Sequence, residues 1–173
     1  MSLEIFPKEL ILTNELVYNQ CKLEISNLQE EKQSAEYSAY TFQLNSNKIK
    51  FRVAKITPTK VGQFVTLWQR CADNKIYPFD ISDNISFVVI NVKQGENFGQ
   101  FVFPKSVLCK QNIFSQNNKG GKRAFRVYPA WDKTISPQAQ KTQKWQLEYF
   151  LDLSGHNNNK IDYNLAQKLY ANK

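Results

Sequence analysis

The residues that point most clearly to a chemical role are the Lys and Arg residues in two stretches that contain no acidic residue. Residues 37–72 hold six Lys and Arg and no Asp or Glu, and residues 97–131 repeat that balance. Together they carry 12 of the 23 Lys and Arg in a chain of net charge +8. Such a concentration is typical of a surface for nucleic acid or another phosphate-bearing ligand. The alternative is a solubilising charged surface, because basic clusters are common.

The candidate phosphate-binding residues lie in two loops and on the strands beside them. Lys55 and Lys60 flank a Thr-Pro-Thr turn, and a pair of glycines comes directly before Lys122 and Arg123. Glycine lets backbone N–H groups approach an anion, arginine contacts phosphate through two bonds, and exposed aromatic rings stack on bases. A flexible, charged turn is the alternative for the glycine loop. The sequence therefore predicts a phosphate or nucleic-acid site made of Arg52, Lys55, Lys60, Lys122, Arg123, Arg126 and Tyr128.

A second hypothesis is a metal-dependent nuclease. A divalent cation needs carboxylates around it, and a Lys to stabilise the developing charge. Asp83 precedes an apolar strand, Gln100 starts the next strand, and Lys55 would come from a neighbouring strand. These three would be the catalytic residues, with Asp83 as the metal ligand, although Val102, two positions after Gln100, stands where a restriction-endonuclease-type site has its Lys. A divalent metal is expected only under this hypothesis, and turn or capping duty is the commoner role of such an Asp.

Several other kinds of site are excluded by residue counts. Cys21, Cys71 and Cys109 are odd in number and far apart, and His156 is the only histidine, so a Cys/His zinc site is not expected. The single His also argues against a Ser/His/Asp arrangement. No apolar run approaches the roughly 20 residues that span a bilayer, and no signal-peptide pattern opens the chain. We therefore expect reduced thiols, a cytoplasmic location and no membrane insertion.

The candidate residues need a sheet to bring them together. Residues 48–56 alternate between apolar and basic side chains, which predicts a half-buried strand with Arg52 on its polar side. Residues 85–92 are apolar at both parities, which predicts a central strand covered on both faces. The acidic pair Glu30 and Glu31 is expected to be solvated. Further strands are predicted over residues 40–44, 63–70, 99–103 and 123–128.

Helices are predicted at both ends of the chain. Pro7 opens the first, which continues in one piece or two over an apolar segment that reaches residue 28. Ser136 and Pro137 have the types of an N-cap and a first helical residue, and the apolar stripe that follows reaches Phe150. Asp162 caps a final helix. At 173 residues we expect one domain, 1–173, of the α+β class, with a mainly antiparallel or mixed central sheet of about six strands flanked by these helices.

Four separate strings of the sequence occur together in a known family. They read FRVAKITPTKVGQFVTLW, GQFVFPK, GGKRAFRVYPAWD and QAQKTQKW. In this order they resemble the MepB family, over residues 36–150. The resemblance implies a bacterial cytoplasmic protein and a restriction-endonuclease-type topology, in which helices flank a sheet. It implies no activity by itself.

A third hypothesis is a protein-interaction module whose basic face docks an acidic partner protein. Nucleic-acid binding predicts an affinity that falls steeply with salt, and a nuclease predicts divalent-metal-dependent nicking that depends on Asp83. An interaction module predicts a complex that survives nuclease treatment. The residues predict no particular oligomeric state.

Overall fold

A computed structural model describes residues 6–155 and 160–171, and its centre is a six-stranded sheet. Its strands β3 (Asn47–Val53) and β8 (Phe87–Gln94) pair in parallel, and the other neighbouring pairs of this sheet are antiparallel. In spatial order the strands are β1 (Ile25–Glu30), β2 (Tyr40–Leu44), β3 (Asn47–Val53), β8 (Phe87–Gln94), β9 (Asn97–Pro104) and β11 (Phe150–Asp152). The mixed sheet of about six strands predicted from the sequence is therefore confirmed.

A small three-stranded sheet packs over one face of the main sheet. It consists of β10 (Ala124–Val127), β5 (Gln63–Thr66) and β4 (Lys55–Ile56), in that order and antiparallel throughout. A separate ribbon pairs β6 (Gln69–Arg70) with β7 (Ile76–Tyr77). The chain between β3 and β8 supplies β4 to β7, and so forms the long crossover that a parallel pair requires. The strands predicted over residues 63–70 and 123–128 exist, but they lie in these smaller sheets.

The structure has four α-helices over the described residues, and those near the ends of the chain begin where the sequence places them. They are α1 (Lys8–Thr13), α2 (Lys105–Lys110), α3 (Pro137–Gln146) and α4 (Tyr163–Ala171). Ser136 Oγ accepts from the N–H of Ala139 at 3.1 Å, and Asp162 Oδ1 accepts from the N–H of Leu165 at 2.9 Å. Both predicted N-caps are therefore confirmed. Over residues 6–155 and 160–171, none of the helices combines the length and the apolar character needed to cross a membrane.

Two edge strands replace predicted helix. The apolar residues near position 25 form β1, whose pairing with β2 is interrupted between Ser26 and Gln29, where Asn27 has φ +52°. The long helix stops at Gln146, and Phe150 pairs with Phe101 of β9 instead of continuing the helical stripe. Both strands form by pairing with distant chain, and local periodicity carries no information about such partners.

The main sheet is covered on both faces, so β8 is buried from Phe87 to Val92, as predicted. On its first face, the small sheet, α2 and α3 pack against β8 and β9, and on its second face α1 and α4 do so. The first core contains Val65, Val88, Ile90, Phe101, Phe103, Leu108, Phe125 and Val127, with Trp145 packed against it. The second contains Leu10, Val17, Ile49, Phe51, Val89, Val102, Ala166 and Leu169.

A chain of hydrogen bonds crosses the second core. The hydroxyls of Tyr18 and Tyr170 lie 2.9 Å apart, and Tyr170 donates to Gln100 Oε1 at 2.6 Å. Gln100 Nε2 donates to Asn91 Oδ1 at 3.3 Å, and Asn91 Nδ2 donates to Thr13 Oγ1 at 2.8 Å. Burial raises the pKa of both tyrosines above the ordinary value, so they remain neutral donors. This series of hydrogen bonds ties α1 and α4 to the sheet, and each polar group in it has a partner.

A buried ion network lies on the first face of the main sheet. Arg52 has no exposed surface, and its two terminal nitrogens contact the two Glu31 oxygens at 3.2 and 3.1 Å. Lys50 Nζ also contacts Glu31, at 3.2 Å, and the guanidinium donates to the carbonyls of Phe51 and Thr66. The predictions that Arg52 lies on a solvent face and that Glu31 is solvated are therefore wrong. Strand β5 passes over this end of β3, so the polar side of β3 is buried between the two sheets there.

Glu31 makes the stability of the fold depend on pH. Burial alone would raise the pKa of its carboxyl, but the charges of Arg52 and Lys50 and a hydrogen bond from Thr41 outweigh burial and lower that pKa below 4.5. A lowered pKa contributes stability above the unfolded-state pKa, and this contribution is lost as the pH falls through the folded-state pKa. We therefore expect the free energy of unfolding to decrease below pH 4.5. Urea titrations across that range, compared with Glu31→Gln, should show a shallower pH dependence in the variant.

Candidate nucleic-acid interface

The outer side of the small sheet carries a row of three side chains. Arg126 of β10 pairs with Phe64 of β5, and Phe64 pairs with Lys55 of β4. Directly opposed residues on neighbouring strands share a face, with side chains about 5 Å apart. The Arg126 guanidinium lies 5.9 Å from the Phe64 ring centroid, and Lys55 Nζ lies 5.1 Å from the ring centroid of Tyr37. The row therefore places two cations on either side of a half-buried aromatic ring.

Arg126 also fastens the loop that connects β4 to β5. Its Nη2 donates to Thr57 Oγ1 at 2.7 Å, and its Nη1 donates to the carbonyls of Val61 and Gly62 at 3.4 and 3.3 Å. The loop carries Lys60, which is exposed. Arg126 is therefore both a charge of the basic face and a brace that holds Lys60 next to it.

A cleft of about 310 Å³ opens on the free side of β10. Lys122, Arg126 and Tyr128 line one wall, and the first turn of α3 lines another through Ser136 and Gln138. The N-terminus of a helix favours anions, since its first N–H groups and its dipole are positive. None of the described residues that line the cleft is acidic. The cleft therefore combines two cations, a helix N-terminus and hydroxyl and amide donors.

Gln146 holds this cleft together from behind. It is fully buried at the end of α3, and its Oε1 accepts from the N–H of Tyr128 at 2.8 Å. Its Nε2 donates to the carbonyl of Arg126 at 2.9 Å. The side-chain amide thus stands in for a neighbouring strand along β10 and fixes the distance between β10 and α3.

The glycine loop contributes charge to this surface, whereas its backbone is already engaged. The N–H of Gly121 donates to Asn112 Oδ1 at 3.1 Å, and the N–H of Lys122 donates to the Ile113 carbonyl at 2.9 Å. The predicted cradle of free backbone N–H groups is therefore wrong for Gly121 and Lys122. The side chains of Lys122 and Arg123 are exposed.

Gly62 is required where the Lys60 loop returns to the sheet. Its φ is +84°, and a Cβ there would come within 2.6 Å of the Tyr128 ring and 3.0 Å of the Val127 carbonyl. Gly95 has φ +58°, and a Cβ added to Gly95 would have no neighbouring atom within 4 Å. We expect Gly62→Ala to cost about 2 kcal/mol more than Gly95→Ala, since only the first adds a clash to the backbone strain of about 1 kcal/mol. Urea denaturation of both variants measures the difference, and equal costs would contradict the contact with Tyr128.

The residues of the predicted nuclease site do not converge. Asp83 lies in a turn, where its Oδ2 accepts from Gln69 Nε2 at 2.8 Å and from the N–H of Asp80 at 2.7 Å. Gln100 pairs with Asn91, four residues beyond the start of β8, and is sealed in the second core. Lys55 lies on the small sheet over the opposite face. A catalytic metal site made of Asp83, Gln100 and Lys55 is therefore wrong, because the main sheet separates two of its members.

The cysteines are free thiols, and no group of three or more His, Cys, Asp or Glu among the described residues is arranged to hold a metal ion. His156 lies outside the described residues.

The structure places Lys55, Lys60, Arg126 and Tyr128 on or beside the small sheet and Lys122 in the cleft next to it, and Arg123 is exposed directly before β10. Arg52 cannot belong to a phosphate-binding surface, because it is buried and paired with Glu31. Ser136 and Gln138 also line the cleft; the capping sequence predicts the start of α3 but not its position beside β10. We define the basic face as Lys55, Lys60, Lys122, Arg123 and Arg126.

Comparison with known proteins identifies the family. The model of the MepB-like family matches residues 31–152. A crystal structure of MepB is 36% identical, covers 86% of this chain and 98% of its own, and superposes with a TM-score of 0.74. A bacterial homing endonuclease, 14% identical over 81% of this chain and 85% of its own, reaches a TM-score of only 0.46. No curated protein matches the chain.

The family match covers most of the chain, and it includes β2, β3, the small sheet, the glycine loop and α3. The solved relative extends the same arrangement over nearly its whole length. The chain therefore belongs to the MepB-like family.

Proposed function

We propose that this protein binds nucleic acid through the basic face, with the phosphate backbone as the main contact. The observation that carries the proposal is the Lys55–Phe64–Arg126 row of the small sheet, continued by the acid-free cleft beside β10. Cations spaced along a sheet and a cleft suit a repeating anion better than a single one. Phe64 offers a ring on which a base can stack between the two charges.

Several features of the face favour backbone contact over base recognition. Lys55, Lys60, Lys122 and Arg123 are exposed cations on different strands and loops. Such contacts neutralise phosphates and release counterions, which makes the affinity strongly dependent on salt. The α3 N-terminus adds a fixed partial positive charge on one side of the cleft. The proposal therefore predicts weak dependence on base sequence from this face.

The direct test is fluorescence anisotropy with labelled DNA and RNA oligonucleotides at increasing salt. We expect saturable binding at low salt, with log K falling linearly against log salt at a slope near −0.9 per duplex phosphate contact. No binding of any oligonucleotide at low salt would overturn the proposal. A complex formed with an acidic protein partner that survives nuclease treatment, without oligonucleotide binding, would instead support an interaction module.

A further inference from the structure

A separate pocket of about 480 Å³ lies beside the loop of residues 57–61. Gln63, Trp131 and Asp132 line it, and Lys60 and Lys133 lie among the same lining residues with exposed side chains. Its volume falls within the range of about 300–1,000 Å³ that is usual for small-molecule sites. Gln63, Trp131 and Asp132 are not part of the basic face.

Three polar atoms of this lining have no protein partner. Four buried side-chain polar atoms of the described residues make no hydrogen bond, and Gln63 Oε1, Trp131 Nε1 and Asp132 Oδ2 are three of them. The Gln63 side chain is 1% exposed, and its Nε2 donates to the Lys93 carbonyl at 3.2 Å, which fixes the amide and leaves its Oε1 free. Buried polar groups without partners are rare in folded proteins. Three of the four unpaired atoms belong to residues that line this one pocket.

The Asp132 carboxyl is half satisfied. It accepts a hydrogen bond from the N–H of Gly62, while its Oδ2 has no partner. Burial raises its pKa, and the Gly62 contact opposes that effect only in part. A ligand that donates a hydrogen bond to Oδ2 would remove the cost of leaving this atom unpaired.

We propose that this pocket binds the guanine base of a nucleotide. The unpaired atoms offer two acceptors, Gln63 Oε1 and Asp132 Oδ2, and one donor, the indole N–H of Trp131. Guanine presents the complementary set on its Watson–Crick edge, with two adjacent N–H donor groups and one carbonyl acceptor. Adenine, cytosine and thymine each present a single donor group on that edge.

The exposed cations and the loop fit a nucleotide in this pocket. Lys60 and Lys133 can contact its phosphate, while the base enters below them. The three unpaired atoms are shielded from solvent, so entry of the base requires the loop of residues 57–61 to move and the Arg126 contacts to Thr57 and Val61 to open. Only the phosphate contact of Lys60 rests on the proposed nucleic-acid function. The base contacts do not.

Calorimetric titration with mononucleotides tests the base contacts. We expect GMP to bind at least about 10-fold more tightly than AMP, and than IMP, which lacks the exocyclic amino group, since the site's acceptors would be left unpaired. Equal affinities for the three nucleotides would overturn the inference, as would the absence of saturable GMP binding together with the absence of a guanine preference among oligonucleotides.

Two variants test the assignment of the atoms. We assign Asp132 Oδ2 to the exocyclic amino group of guanine. Asp132→Asn places an amide donor there, so it should weaken the binding of GMP and strengthen the binding of XMP, which has a carbonyl where guanine has an amino group. Trp131→Phe removes the indole N–H and should weaken GMP about 10-fold. Thermal unfolding confirms that each variant is folded. A folded Trp131→Phe with unchanged GMP affinity would overturn the assignment even if Asp132→Asn does not fold.

Oligonucleotides of equal length distinguish the source of the guanine. If wild-type protein prefers guanine-containing oligonucleotides and Asp132→Asn does not, the pocket takes the base from nucleic acid. If GMP binds and the oligonucleotides are not discriminated, the ligand is a free nucleotide. If oligonucleotides bind, but GMP does not bind and guanine is not preferred, the guanine pocket is contradicted and the proposed function stands. If GMP binds and no oligonucleotide does, the proposed function is contradicted and the guanine pocket stands.

Discussion

Replacing Glu31 by Gln is expected to lower the free energy of unfolding by about 3–5 kcal/mol, the usual cost of leaving one member of a buried ion pair without its partner. Arg52 has no exposed surface and would keep its charge beside a neutral amide. Lys50, with 18% of its side chain exposed, can turn toward water. The loss therefore comes mainly from Arg52. Urea denaturation at neutral pH measures it.

Two controls separate the ion pair from a general effect of removing an acid. Glu36→Gln removes an exposed carboxylate five positions along the chain and should change stability by less than about 0.5 kcal/mol. The double variant Glu31→Leu, Arg52→Met removes both charges and should recover most of the loss, because apolar pairs of similar volume replace buried ion pairs well. A cost of Glu31→Gln below about 1 kcal/mol would mean that Arg52 reaches solvent.

Replacing Lys55, Lys122 and Arg123 together by Ala is expected to weaken oligonucleotide binding by on the order of 100-fold at 0.1 M salt. The three side chains are exposed, so the fold loses little. Each lost phosphate contact should also reduce the salt slope by nearly 1. Anisotropy titrations over a series of salt concentrations give both quantities.

The matched control removes the same charge from the other side of the molecule. Lys8, Lys160 and Lys168 are exposed cations, and Lys8 and Lys168 belong to α1 and α4, which cover the second face of the main sheet. Their replacement by Ala should change the affinity only through net charge and leave the salt slope nearly unchanged. Equal losses in the two triple variants would show diffuse electrostatic binding without a defined face.

The sequence predicts features that depend on local pattern. The apolar residues at both parities predict the buried strand β8, and Ser136 and Asp162 predict the starts of α3 and α4 because capping is a contact between near neighbours. The signature strings predict the family.

The wrong predictions concern residues whose surroundings are set by segments that are distant in the sequence. Arg52 has the alternation of a solvent-facing residue, and only the strand β5 that passes over it makes it internal. Glu31 supplies its counter-charge from 21 positions away. An Arg within an acid-free, alternating strand was the available signal that a partner must come from elsewhere, but nothing in the pattern names Glu31. Similarly, Gln100 has the sequence position of an active-site residue, yet its amide holds Asn91 and Tyr170 inside the core.

The most direct test of the basic face is a ¹H–¹⁵N NMR titration of the protein with a short oligonucleotide at low salt. The proposal predicts shift changes and line broadening at Lys55, Phe64, Lys122 and Arg126, and in the first turn of α3. It predicts unchanged amide signals in α1 and α4. Perturbations concentrated on α1 and α4 would contradict it, as would an unchanged spectrum at saturating oligonucleotide.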